Sequence, residues 1–174
     1  MLRGVNVSGH KPIKMDALRA SFESLGFEGV KTYLQSGNVV FTAAKVSVAG
    51  LTAKIAAKIM ADFGHAVAIL IRTPVEFEEA LKRNPFAGQT KLDEAYFHIT
   101  FLSQPAGAGA GESLNRLATA SEQIFVSGRE VYLYCPNGYG NTKVSNTAIE
   151  KKLGAQATTR NWRTVNALLA LAQA

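Results

Sequence analysis

Asn6, Ser8, Lys11 and Lys14 crowd the first polar break in the chain, and Gln35, Ser36 and Asn38 crowd the second. Amide and hydroxyl side chains beside two lysines at a helix entrance are the groups that hold an anion. They offer directed donors, and the unsatisfied N–H groups of the helix add partial positive charge. The same residues also build turns and caps, because Ser-Gly-Asn is good turn chemistry. A second candidate group, Arg160, Asn161 and Arg163, flanks the start of the last helical pattern. There the helix dipole disfavours each cation by about 0.3–1 kcal/mol. A carboxylate elsewhere in the fold or an anionic ligand would offset that cost; a structural salt bridge or a stack on Trp162 is the competing reading. Arg3 belongs to a basic segment over residues 3–19. A second basic segment spans 143–163, where Glu150 is the only acid.

Other chemistries find few residues to carry them. Gly4 to Lys11 is spaced like a phosphate loop, but His10 stands where the lysine belongs, and Lys11 is followed by Pro12 and not by serine or threonine. His10, His65 and His98 lack metal-ligand spacing, and His98 alternates within a strand pattern, which reads as a structural histidine. Glu76, Glu78 and Glu79 are the charged start of a helix. Cys135 is the only cysteine and sits at a strand end far in sequence from any histidine, so neither a metal, a cofactor nor a nucleophile is expected. The aromatic platform of RNA-binding sheets is also missing: the first strand offers no ring and the third only Phe41.

These residues must be positioned by a run of short elements. Leu2 to Val7 reads as a strand and Met15, Leu18, Phe22 and Leu25 as a helix stopped at Gly26. Val30–Gln35 and Asn38–Thr42 make a hairpin around Ser36-Gly37. Leu51, Ile55, Ile59 and Phe63 form a second helical stripe ended by Gly64, and Ala66 to Arg72 reads as a buried strand. Thr73-Pro74-Val75-Glu76 is a capping box opening a helix that ends at Asn84-Pro85. A second cycle follows: a strand over Ala95–Leu102, a flexible Gly/Ala-rich loop over Ser103–Gly111 and a helix around Leu114–Ala120. Its hairpin turns at Gly128-Arg129, and a helix capped by Thr147 and Glu150 comes next. A last helix carries Trp162, Val165 and Leu168 on its core face.

The expected class is α+β, with two ferredoxin-like, βαββαβ-type halves. Residues 1–73 form the N-terminal half. Residues 74–174 form a C-terminal half of variant βαββα order, ending in an extra helix where the last strand should be. In the first half this topology folds the N-terminal amides and lysines onto the same rim as the Gln35–Asn38 bend, close to His65.

Three segments resemble a known family. They are Arg3-Gly4-Val5-Asn6-Val7-Ser8-Gly9, Thr32 to Phe41, and Glu150-Lys151-Lys152-Leu153-Gly154 followed by Thr158 to Val165; Asn84-Pro85-Phe86 also fits. Together they are similar to the bacterial family known as domain of unknown function 1697, along the whole chain. The resemblance implies a fold and no activity. The chain departs from the family pattern at Ser8, where members usually carry a second glycine, and at its start, where they carry several residues before Leu2-Arg3-Gly4.

The bulk composition is that of ordinary globular material, 47% apolar and 18% charged. A net charge of +6 favours anionic partners. The longest apolar run, Ala66 to Ile71, is too short to cross a bilayer, and one cysteine suits a reducing compartment, so a cytoplasmic protein without membrane partners is expected. Three functions remain open. The first is binding of a phosphate-bearing small molecule or nucleic acid through the residues above. The second is an enzyme acting on a small molecule held between the halves, with Asn6, Gln35 and Asn38 as polar fixers. The third is a structural or oligomerising module. Neither the oligomeric state nor a reaction follows from the sequence.

Overall fold

The computed structural model describes residues 1–7, 9–44 and 46–174. The chain divides into two compact units, residues 1–72 with 170–174, and residues 73–169. Among the described residues it is a mixed α+β structure with two sheets and six α-helices. No helix among these residues is long and apolar enough to cross a membrane.

In the first unit, α1 (Met15–Glu23) and α2 (Val48–Phe63) present their apolar stripes to a common core. Leu18 and Phe22 come from α1 and Ile55 and Ile59 from α2; all four are fully buried beside Leu2, Val5 and Ile69. The hairpin of β1 (Glu28–Tyr33) and β2 (Asn38–Thr42) closes on the pair Tyr33↔Asn38. It adds Phe41, which stacks on Phe27 with ring centroids 4.5 Å apart. The strands expected over 2–7 and 66–72 are reduced to one antiparallel bridge, Leu2↔Ile69. Two backbone bonds flank it, Arg3 N to Ala68 O and Leu70 N to Met1 O, each 2.9 Å. The first segment cannot run further because Gly4 and Asn6 both take left-handed backbone, at φ 69° and 55°.

In the second unit, α3 (Pro74–Lys82) opens on the capping box expected from Thr73 and Glu76, and Glu76 also pairs with Arg129. The sheet is built from β3 (Phe97–Leu102), β4 (Gln123–Ser127), β5 (Glu130–Tyr134) and β6 (Ala157–Asn161). Their order is β4-β5-β3-β6 and every neighbour is antiparallel. Central β3 is apolar on one face through Phe97, Ile99 and Phe101, and Phe101 stacks on Phe77 of α3 at 5.1 Å. The opposite face meets α4 (Ala110–Asn115) and α5 (Asn146–Leu153), where Leu102, Leu114, Val131, Leu133 and Ile149 share a second core.

Three expectations are corrected here. A last strand does exist: β6 pairs with β3 from His98↔Asn161 to Leu102↔Ala157. Its sequence, Ala-Thr-Thr-Arg-Asn, has no apolar alternation, because one neighbouring strand and the buried polar side chains Thr158 and Arg160 hold it in place. The helix expected over 114–120 begins earlier, at Ala110, inside the stretch that reads as a loop. The cap of α5 is Ser145, whose Oγ accepts from Ala148 N at 3.3 Å, and not Thr147. The Glu150 carboxylate accepts instead from Ala157 N at 3.0 Å, tying α5 to the start of β6. α6 (Trp162–Gln173) follows β6 without a break. Trp162 is half-buried with its ring edge-on to Phe97 at 6.1 Å.

Candidate functional site

The first candidate cluster is brought together, and most of its polar atoms serve the fold. Asn6 holds a left-handed backbone that asparagine tolerates better than most residues. Its Oδ1 accepts from Ile13 N, while its Nδ2 donates to Ile13 O and to Gln35 O, all at 2.8 Å. Asn6 therefore clamps the first loop onto the 33–38 bend. Asn38 is fully buried and its Nδ2 donates to Tyr33 O and Ser36 Oγ, both at 2.9 Å. Lys11 Nζ donates to Ala66 O at 2.6 Å, which places it beside His65 in the chain. Lys14 is exposed at the N-cap of α1 and the Gln35 side chain is exposed, while Arg3 is half-buried on the bridge segment. Ser8 lies outside the described residues.

The second cluster is split by the pleat of β6, which sends successive side chains to opposite faces. Arg160 is not at the first turn of a helix, as the sequence suggested. It sits inside β6, only 8% exposed, and its Nη1 donates to Thr158 Oγ1 and Thr159 O, both at 2.8 Å. Burial pulls its pKa down to about 10, partly opposed by Tyr139. Asn161, on the other face, caps α6 through Oδ1, which accepts from Thr164 N at 2.8 Å. Arg163 stands exposed in the first turn of α6 and makes no hydrogen bond or ion pair among the described residues.

Asn161 and Arg163 line an open groove of about 490 Å³ together with Glu94, Ala95, Trp162 and Asn166. Asn166 holds its place by donating Nδ2 to Trp162 O at 2.9 Å. Helical spacing alone could have found Asn166, three residues after Arg163 on the same face. Glu94 had no such signal. It reaches the groove because β3, which follows it, pairs with β6.

Cys135 is buried among Leu114, Leu133 and Val144. Burial, and next the charge of Glu122, push its thiol up to about 12, against a hydrogen bond with Thr142. A folded-state pKa above the unfolded one means the native state keeps a proton that the unfolded chain loses. Stability should therefore fall as pH rises from about 9 towards 12. Native protein at pH 8 should resist a thiol-labelling reagent that reacts with one equivalent in urea. Fast labelling without urea would show an open thiol.

The geometry thus defines an α+β protein of two compact units whose second unit carries a polar groove lined by both Glu94 and Arg163. A family model described as protein of unknown function (DUF1697) matches residues 1–132, and the chain belongs to that family. The matched span ends within β5, so Asn161 and Arg163 lie beyond it while Glu94 lies inside. Among solved structures, the chain is similar to the conserved bacterial protein SP0830 from Streptococcus pneumoniae. The two share 21% identity over 99% of this chain and 96% of that one, with a TM-score of 0.72. At that identity the likeness is one of fold. No curated protein matches.

Proposed function

We propose that this protein binds a phosphate-bearing small molecule in the groove at the β6–α6 junction, with Arg163 as the residue that holds the anion. The observation that carries this is Arg163 itself. It is an exposed guanidinium with no partner among the described residues, at a helix start where the dipole disfavours it. A bound phosphate would use both the cation and the helix start. The volume lies in the range of small-molecule sites. Glu94 on the same groove favours a compact ligand that also carries hydroxyl or N–H donors, and disfavours the continuous charge of a nucleic-acid backbone.

The same reading takes the fold as two ferredoxin-like halves. In the second unit, the chain order β3-α4-β4-β5-α5-β6 with the spatial order β4-β5-β3-β6 supports it, leaving α6 as the extra helix. In the first unit, Leu2 bonds to Gly37 O and bridges Ile69, as a first strand between the third and fourth would. A cytoplasmic location belongs to the same proposal and is supported by the lone cysteine held as a buried thiol.

Calorimetric titration with inorganic phosphate, ribose 5-phosphate and a short single-stranded oligonucleotide, at two salt concentrations, tests the function. Arg163→Ala should weaken phosphate and ribose 5-phosphate by about ten- to a hundredfold, the value of one to two charge-assisted bonds. Its melting temperature should stay near that of the native chain, because the side chain is exposed and pairs with no described residue. Unchanged affinity in this variant would remove the groove as the site. Oligonucleotide binding alone, steeply weakened by salt, would replace the small molecule with nucleic acid.

A further inference from the structure

The groove at the β6–α6 junction is lined by two opposite charges that do not meet. Glu94 and Arg163 both line it and both are exposed. Neither side chain makes a hydrogen bond or an ion pair with any described residue, the other included. Acids elsewhere in this unit find a cation one helical turn on: Glu78 pairs with Lys82 at 2.7 Å, and Glu79 pairs with Arg83. Glu94 is denied that partner by local structure. Its short helical turn, Glu94–Tyr96, leads directly into β3, where helical spacing no longer applies. Arg163 is left over for a different reason. Three and four residues on in α6 stand Asn166 and Ala167, and neither carries a charge.

The two amides that line the groove are used in opposite senses. Asn161 spends its Oδ1 on Thr164 N at 2.8 Å, so the group it has left is a donor, Nδ2. Asn166 spends Nδ2 on Trp162 O at 2.9 Å, so the group it has left is an acceptor, Oδ1. The groove therefore offers a cation and a donor, Arg163 and Asn161, together with an anion and an acceptor, Glu94 and Asn166. Trp162 also lines it, its ring set edge-on to Phe97 at 6.1 Å. An indole near a carboxylate is a favourable setting for an ammonium group, which the ring quadrupole attracts.

We propose that the ligand of this groove is an amine-bearing phosphate ester, with its phosphate on Arg163 and Asn161 and its ammonium group on Glu94 and Asn166. This rests on the groove reading above and names the ligand class within it. Glu94 repels a phosphate that carries no positive charge of its own. A ligand with an ammonium group turns that repulsion into attraction, so one carboxylate both favours the right ester and disfavours the wrong one.

Aminoethyl and aminobutyl phosphate, each beside its hydroxyl counterpart, are titrated calorimetrically into the full chain at low salt. An alkyl amine is protonated at neutral pH, so each pair differs by one positive charge. The native chain should bind at least one amine ester about three- to tenfold more tightly than its hydroxyl counterpart. Glu94→Gln should remove that preference by opposite movements. The amine ester weakens about three- to tenfold, while the hydroxyl ester and inorganic phosphate hold or strengthen, because a charge that repels phosphate is gone. A merely structural role of Glu94 would move every probe the same way. Should the Gln variant fail to fold, Glu94→Ala carries the same comparison. Trp162 is the only tryptophan, so its emission should change as the amine ester fills the groove. If the native chain shows no preference for the amine, or Glu94→Gln weakens both esters equally, the role of Glu94 is overturned. The groove still stands in that case when Arg163→Ala weakens every probe. If Arg163→Ala changes none of them, or no probe binds the native chain, the groove reading fails and this proposal with it. Heat from the amine ester with unchanged tryptophan emission would place it elsewhere and overturn the proposal as well.

Discussion

Gly37→Ala should destabilise the first unit by about 3–5 kcal/mol, among the largest single effects in the protein. Two causes act together. Gly37 has φ +72°, a left-handed conformation that costs an ordinary L-residue about 1–2 kcal/mol. An added Cβ would also lie 2.4 Å from Val5 Cγ2 and 2.8 Å from Leu2 Cβ, closer than real Cβ contacts come. Leu2 and Val5 are each 1% exposed in the core, so neither can retreat without displacing other packed side chains. Relieving the overlap costs about 1–3 kcal/mol more and strains the 2.8 Å bond from Leu2 N to Gly37 O. Gly64→Ala is the matching control, since Gly64 has φ +69° with nothing within 4 Å of the new Cβ. It should show the backbone cost alone. Urea midpoints of the two variants measure the difference, and equal losses would mean that the approach to Leu2 and Val5 is looser than described.

Asn6→Ala should cost about 3 kcal/mol, although the residue reads in the sequence as a candidate ligand contact. Three hydrogen bonds disappear, worth roughly 1 kcal/mol each, and the left-handed backbone at φ 55° loses the residue type that tolerates it. Asn6→Asp separates the parts. It keeps the backbone tolerance and the acceptor for Ile13 N, but sets a carboxylate against Ile13 O and Gln35 O where the amide donated. Both variants should unfold at lower urea, with the aspartate closer to native at low pH, where its carboxyl can donate. An alanine variant as stable as the native chain would show that Asn6 does not clamp the loop.

Much of this architecture is written in local chemistry. The Thr73–Glu76 capping box, the turn at Gly128-Arg129 and the Leu51-Ile55-Ile59-Phe63 stripe each depend on residues a few positions apart, so spacing alone reveals them. What the spacing missed has the opposite character. β6 is polar and short, and it is a strand only because β3, more than 50 residues earlier, offers it a ladder. Once that ladder exists, the two-residue pleat decides that Arg160 turns into the interior while Asn161 faces the groove.

The candidate residues divide in the same way. Residue type marked Asn6, Asn38, Asn161 and Arg163 as chemically capable, because amides and guanidinium groups are strong hydrogen-bonding groups wherever they fall. Their uses came from the neighbours that the fold gave each of them. Ile13 and Gln35 occupy Asn6, Tyr33 and Ser36 occupy Asn38, and Arg163 pairs with no described residue. His98 is the sharpest instance: its alternation in β3 was legible, but its neighbour Asn161 and its stack on Tyr139 exist only through strand pairing. Sequence by itself determined most of the helices, the two hairpins and the stock of polar groups, since those depend on short-range spacing. Tertiary structure decided which of those groups were consumed by the fold and which remained at the surface, since long-range pairing sets the neighbours of every side chain.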